Sequence, residues 1–321
     1  MKTLRLAEFC AGTGAFSLSF KETKKVKTIF SNDIEINAKK IYDANFTTKM
    51  TLLDIHELKN TDIPKMDILT AGFPCQPFSL AGNKQGFKDF RSNVFFKLID
   101  IIKYKKPECI VLENVKNLLS HNNKETFKVI TDNIIKLGYT FKYSILNTCK
   151  ITNIPQNRER LYIVCFKNSK NTELFQFPNQ NIDTIQLKDF LLENVDDKYY
   201  YKEKLKVYDT IVKNVLKNIS ENVLYQYRRH YVRENKNNVC PTLTANGGSG
   251  GHNIPLLKDL KGIRKLSPRE CFKLQGFPET YILPKELSDS ALYKLAGNAV
   301  TVPITSLIAE NIIKILNKTE N

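Results

Sequence analysis

At 321 residues the chain is long enough to bury a sizeable core, and it suits one large domain with a smaller companion rather than an array of modules. Its formal charge of +16 leaves two explanations open: a polyanionic partner held through counterion release, or AT-rich coding that crowds a sequence with Lys, Asn and Ile. Seven cysteines, an odd number without a CxxC pair, argue against a disulfide framework and a zinc site. The N-terminus runs straight into strand-like sequence, and no run reaches the ~18 apolar residues of a membrane span. A soluble, cytoplasmic protein without a membrane segment is expected.

In chain order, residues 4–9 read as a strand, Cys10-Ala11-Gly12-Thr13-Gly14 as a tight turn, and Phe16, Leu18 and Phe20 as helical spacing. A second strand, 26–30, leads into Ser31-Asn32-Asp33, and an amphipathic helix follows over 37–45. Further strands are expected at 67–71, 109–112, 141–146 and 162–166, with helix-like stretches such as 93–104 and 124–137 separating most of them. Strands alternating with helices predict an α/β, doubly wound, mostly parallel sheet covered on both faces. Near Phe177-Pro178-Asn179 the character changes. From there to about Gly262 the sequence is loop-rich, basic and aromatic, with Tyr199-Tyr200-Tyr201 and a glycine cluster over 247–251. A second, smaller domain is expected over 179–262 and a connecting segment over 263–292. The apolar-periodic helix 304–316 packs back on the large domain, which is thus expected to comprise 1–178 and 293–321.

Four groups of residues carry possible chemistry. Cys75 lies between Pro74 and Pro77 on a stiff loop after an apolar strand, at the carboxyl edge where open α/β sheets bind ligands; a lone cysteine is otherwise a small buried hydrophobe. Gly12 and Gly14 permit close approach of backbone to a ligand, and Asp33, about 20 residues on, suits a pair of ribose hydroxyls, although an ordinary βα turn has the same appearance. A dinucleotide fingerprint would have a third glycine, so a nucleoside cofactor without a pyrophosphate fits better. Glu113, after the strand 109–112, offers a carboxylate at the same edge or caps the next helix. Arg158 and Arg160, just before the strand 161–166, are planar donors for a phosphate or carbonyl oxygen, or a solvated face.

Taken in order, Phe73-Pro74-Cys75-Gln76-Pro77-Phe78-Ser79, Glu113-Asn114-Val115, Gln156-Asn157-Arg158-Glu159-Arg160, the segment Arg269 to Pro278 containing Leu274-Gln275-Gly276-Phe277, and Gly297-Asn298-Ala299-Val300 resemble the DNA (cytosine-5) methyltransferase family, compact bacterial restriction–modification type, over residues 4–303. The resemblance implies a Rossmann-like class I S-adenosylmethionine-dependent methyltransferase fold with a smaller target-recognition domain. It implies Cys75 as the nucleophile that adds to C6 of cytosine, Glu113 as the acid at N3 and the exocyclic amine, Arg160 at O2 of the base, and Arg158 in support of the loop and backbone. S-adenosylmethionine, leaving as S-adenosylhomocysteine, would be held by Cys10, Gly12, Gly14, Asp33, Ile34, Asp54, Ile55, Pro74, Val94, Asn298 and Val300, without a metal. Two departures are visible, Cys10 where the family usually has Phe, and Asp33 where Glu is common. The implied substrate is double-stranded DNA, flipped at the target cytosine, with Gln76, Ser79, Arg228, Arg229, Arg233 and Thr242 as contacts and 76–94 as a loop closing over the base. A cognate restriction endonuclease acting on the same site without direct contact, and a monomeric state, complete the expectation. A tRNA cytosine methyltransferase and a catalytically inactive DNA-binding relative are the alternatives.

Overall fold

The computed structural model describes residues 3–74, 94–179, 186–202, 209, 212, 223–228, 231–235, 239–248 and 254–318, of which 227 and 228 by their main chain only. Two compact units emerge: Met1–Leu146 with Glu159–Asn179 and Val302–Asn321, and Asn147–Arg158 with Gln180–Thr301. Residues 147–158 and 293–301, allotted to the large domain by sequence, thus cluster with the second unit.

The strands in chain order are β1 (Leu4–Phe9), β2 (Val26–Asp33), β3 (Thr51–Leu52), β4 (Ile68–Gly72), β5 (Cys109–Val115), β6 (Thr140–Asn147), the two-residue β7 (Gln156–Asn157) and β8 (Glu159–Phe166). Apart from β7 they form one sheet in the order β3-β2-β1-β4-β5-β8-β6. The pairs β2–β3, β1–β2, β1–β4 and β4–β5 are parallel, as a βα alternation requires, while β8 runs antiparallel to β5. Near-continuous apolar runs such as Cys109-Ile110-Val111-Leu112 belong to strands covered on both faces, and all four residues are buried. Helices Ala15–Glu22, Ile36–Asn45, Val94–Lys105 and Glu125–Lys136 connect the strands.

Helix Ala15–Glu22 starts from Gly14, whose φ of 72° belongs to the left-handed region. A Cβ there would meet Phe46 at 2.5 Å and Tyr42 at 2.8 Å, so the close packing of this turn also requires glycine. The last helix, Val302–Lys318, buries Ile304, Ile308, Ile312 and Leu316, and its Thr305 hydroxyl lies 2.5 Å from that of Ser19. By length and composition the stretch Asp289–Lys318 is a candidate membrane span, an 18-residue window within it having a mean hydropathy of 1.5. It is in fact two helices separated at residues 299–301, and their apolar residues are largely buried inside the protein.

In the second unit β9 (Tyr225–Arg228), β10 (Tyr231–Glu234), the short β11 (Cys240–Pro241), β12 (Pro255–Lys258) and β13 (Ile263–Lys265) follow. An antiparallel sheet forms in the order β10-β9-β12-β13, and β11 pairs in parallel with β7. Helix Pro268–Lys273 starts with Pro at its first turn and a reciprocal capping box between Ser267 and Glu270. Glu270, fully buried, also receives the Arg264 guanidinium at 2.8 Å, and Arg264 reaches Asp259 at 2.7 Å, so the buried charges are compensated rather than left alone.

Candidate active site

The glycine turn after β1, Asp33 ending β2, Pro74 after β4 and Glu113 in β5 share the carboxyl edge of the first unit's sheet, because β1, β2, β4 and β5 run in parallel. At one part of this edge Asp33 Oδ2 accepts the Gly12 N–H at 2.8 Å and Oδ1 the Glu35 N–H at 2.9 Å. Burial pushes the Asp33 carboxyl above the usual range, and those N–H donors pull against it. Two carboxylate oxygens offer about four lone-pair directions, so both retain capacity for a diol. Asn32 Nδ2 donates to the Thr51 and Leu53 carbonyls at 3.1 and 2.8 Å, tying the end of β2 to the segment before Asp54. Asp54 caps the turn Ile55–Glu57 by accepting the His56 N–H at 2.9 Å, and Ile55 is buried beneath it.

Cys10 sits in the left-handed region at φ 50°, its thiol pushed up by burial and by the nearby Asp33 and Asp54. A Cβ added at Gly12 would meet nothing within 4 Å, and Ile34 is 68% exposed at the same strand end. Open space, a diol acceptor and a bare apolar side chain fit a nucleoside.

Sequence reasoning missed what lies under this turn. Glu8, 1% exposed in β1, accepts from the Phe16 and Ser17 N–H groups at 3.3 and 3.0 Å and from the Ser17 hydroxyl. Tyr42 extends the network, its hydroxyl 2.9 Å from Ser17 Oγ. The carboxylate therefore takes up the orphan donors at the start of helix Ala15–Glu22 and fixes the turn from below. The signal was an acid between the apolar residues Ala7 and Phe9 of the strand.

The second part of the edge is made by β5 and β8. The sequence reading ends the strand at Leu112 and begins the next at Leu161, but β5 continues to Val115 and β8 begins at Glu159. Antiparallel pairing with β8 gives the polar residues ladder partners and so extends both strands: Glu113 lies opposite Tyr162, and Val115 opposite Arg160. Residues 113 and 115 share one face, as do 160 and 162, so Glu113 and Arg160 are diagonal neighbours within reach of long side chains. Arg160 Nε stands 3.3 Å from Glu113 Oε1, both side chains largely buried. Glu113 is thus a strand residue, not a cap. Asn114, 4% exposed, turns the other way and donates from Nδ2 to the Phe73 carbonyl at 2.8 Å, fixing the main chain just before Pro74. Asn114 is the other residue whose part the sequence did not suggest, although the Glu-Asn-Val motif contains it.

Arg158 is placed differently from Arg160. It is 1% exposed in the second unit, with Nη1 donating to the Leu243 carbonyl at 2.8 Å and Nη2 to those of Gly297 and Ala299 at 3.1 and 2.7 Å. A guanidinium spent on three carbonyls supports main chain and does not offer those donors to a base. Thr242 Oγ1 donates to the Asn157 carbonyl at 2.6 Å, Asn298 is exposed at the end of helix Asp289–Asn298, and Val300 is buried. Arg233 is exposed on β10, and Val94 is half-buried at the start of its helix. Cys75, Gln76, Ser79, Arg229, the side chain of Arg228 and the expected closing loop up to residue 93 lie outside the described residues.

Residues 4–314 match the family model described as C-5 cytosine-specific DNA methylase. The chain is 48% identical over 315 residues to the type II methyltransferase M.Bsp6I of Bacillus sp. (strain RFL6), covering 97% of this chain and 99% of that one. It is 35% identical to M.HhaI, a type II methyltransferase of Haemophilus parahaemolyticus, over 98% and 95% of the two chains. Among solved structures, the S. pombe Dnmt2 methyltransferase superposes with a TM-score of 0.74 at 20% identity, covering 98% of this chain and 99% of that one, a likeness of fold.

Proposed function

Because the chain belongs to the C-5 cytosine-specific DNA methylase family and is a type II DNA (cytosine-5) methyltransferase using S-adenosylmethionine, we propose that it methylates a flipped-out cytosine in one short duplex sequence through a covalent Cys75 adduct. By this reading it protects that sequence from a cognate endonuclease, and residues 179–262 choose it.

The observation that carries the reading is the Glu113–Arg160 pair at the carboxyl edge, with Asn114 holding the main chain two residues before Cys75. Cytosine C5 is too weak a nucleophile to take a methyl group directly. Addition of the Cys75 thiolate to C6 moves the ring's electron pair toward C5 and places charge on N3 and O2. Glu113 meets that charge as the proton donor at N3, and Arg160, held beside it, donates to O2. Bound at the glycine turn, the cofactor supplies a sulfonium methyl, an electrophilic carbon. Asp33 and Asp54 orient the nucleoside end, and Glu8 keeps the turn in place from below. Once C5 carries the methyl, a local base removes its proton; that electron pair restores the C5–C6 double bond and expels the Cys75 thiolate, while N3 returns its proton to Glu113.

A duplex hides C6 from any thiol, so the base must leave the stack at a cost of a few kcal/mol, offset by contacts to the vacated duplex. Bisulfite sequencing of DNA from cells expressing the protein tests the reading. The expected result is 5-methylcytosine in one fixed short context; conversion of every cytosine would contradict it.

A further inference from the structure

Arg158 lies at the centre of a set of buried polar contacts that the chemistry above does not use. The segment Cys240–Ala245 is fastened at successive positions. Its strand β11 pairs with β7, Thr242 Oγ1 donates to the Asn157 carbonyl at 2.6 Å, the Leu243 N–H donates to Gln156 Oε1 at 3.2 Å, and the Leu243 carbonyl accepts from Arg158 at 2.8 Å. Leu243 is buried, while Thr242 is half-buried and Thr244 exposed, so the segment is pinned from one side and open on the other.

The other end of the same guanidinium holds the carbonyls of Gly297 and Ala299, the two neighbours of Asn298. The two segments also meet directly. A Cβ at Gly297 would stand 2.2 Å from the Thr244 carbonyl carbon and 2.5 Å from the Ala245 nitrogen, a closeness only glycine permits. Gln156 and Gln275, both fully buried, close the set: Gln156 Nε2 donates to the Leu274 carbonyl at 2.7 Å, and Gln275 Nε2 to that of Ala296 at 2.7 Å. Buried donors with directional partners have few alternative arrangements, since a displaced carbonyl leaves a desolvated charge unpaired.

We propose that Arg158 is a positioning residue that makes the Thr242–Thr244 segment and the Gly297–Ala299 turn move as one body, coupling duplex binding to cofactor binding. The proposal rests on the reading that the first segment meets DNA and the second the cofactor. When one ligand fixes its segment, Arg158 fixes the other segment too, and the second ligand no longer bears that ordering cost.

The test is a binding cycle on the full chain, with S-adenosylhomocysteine as the cofactor probe and a duplex carrying the methylated context as the DNA probe. Duplex Kd is measured with and without the probe in wild type and in Arg158→Lys, which keeps the charge but not the fork that reaches both segments. In wild type, S-adenosylhomocysteine should tighten duplex binding by about 5–150-fold, the usual range of such couplings. In Arg158→Lys that factor should fall to within about threefold of unity while each ligand still binds alone. Should Arg158→Lys not fold, Thr242→Val decides, because it removes one anchor from a half-buried position; its coupling factor should fall below the wild-type one. Wild-type coupling near unity, or an undiminished factor in the folded variant that decides the test, overturns the proposal. Neither outcome touches the proposed methylation, which bisulfite sequencing judges separately.

Discussion

The first unit is filled by side chains such as Leu6, Ile68, Ile110 and Ile163, apolar and almost wholly out of water, from which its carboxyl edge emerges as a fixed line. In the second unit buried charged and amide groups pin the main chain, with Arg158 on three carbonyls and Gln156 and Gln275 on main chain, beside the buried pair of Arg264 and Glu270. Apolar burial is non-directional and tolerates repacking, whereas a buried polar contact is satisfied in one geometry and costly in others. A unit that presents loops to a partner gains from such pins, because they hold a backbone still where little core lies behind it. The contrast predicts that changes at the first unit's edge alter the rate, and changes on the second unit's surface alter binding.

The largest effect should come from the edge. Glu113→Gln keeps the shape but cannot supply a proton, so kcat should fall by ~10²–10⁴ with duplex affinity retained in a binding assay. A variant within about threefold of wild type in kcat, or one whose loss is in affinity alone, would break the division of labour.

Next in size is salt. If the +16 charge serves DNA, log Kd should change with log salt by about 0.9 per phosphate neutralised. With six or more contacts, affinity should drop by roughly 10³-fold between 50 and 200 mM, as read by fluorescence anisotropy. A slope shallower than about 2 would assign most of the lysines to coding bias.

A third effect tests whether the glycine turn rests on Glu8. Burial raises this carboxyl from its ordinary 4.5 to about 7, against the pull of its hydrogen bonds. Between those values the folded chain holds a proton that the unfolded chain has lost, so this group's contribution to stability falls as pH rises from about 4.5 through 7 and is lost above. The change is on the order of 3 kcal/mol, and Glu8→Gln should flatten the dependence of urea stability on pH across that window. An unchanged slope would mean that Glu8 ionises freely where it stands.

The smallest effect concerns the residue that supports the nucleophile's loop. Asn114→Ala removes the donor to the Phe73 carbonyl, a buried hydrogen bond worth about 1–3 kcal/mol, and should lower kcat by roughly tenfold. The same loss appearing only in thermal stability would make Asn114 an ordinary core residue.

Much of the edge was legible in the sequence because parallel strands announce themselves. An apolar run, a glycine or proline break and an acid at the strand end place Asp33 and the glycine turn correctly without tertiary information. Glu113 was legible as a residue but not as a strand position, since its ladder partner Tyr162 lies 49 residues away and pairs antiparallel. Arg158 and Arg160 look alike in sequence and end in opposite circumstances. Only the fold says that the carbonyls of Leu243, Gly297 and Ala299 converge on the first and that Glu113 lies diagonal to the second. The contacts of Gln156 and Gln275 were invisible for the same reason, their main-chain partners Leu274 and Ala296 lying 118 and 21 residues away.

The central claim is that chemistry passes through a bond between Cys75 and the target base. Its most direct measurement uses a duplex with 5-fluorocytosine at the methylated position, incubated with enzyme and S-adenosylmethionine and run on a denaturing gel. Fluorine cannot leave as a proton does, so the wild-type protein should migrate as a covalent complex with DNA, and Cys75→Ala should not. A complex formed equally by Cys75→Ala, or none formed by an enzyme active on ordinary cytosine, would contradict the account.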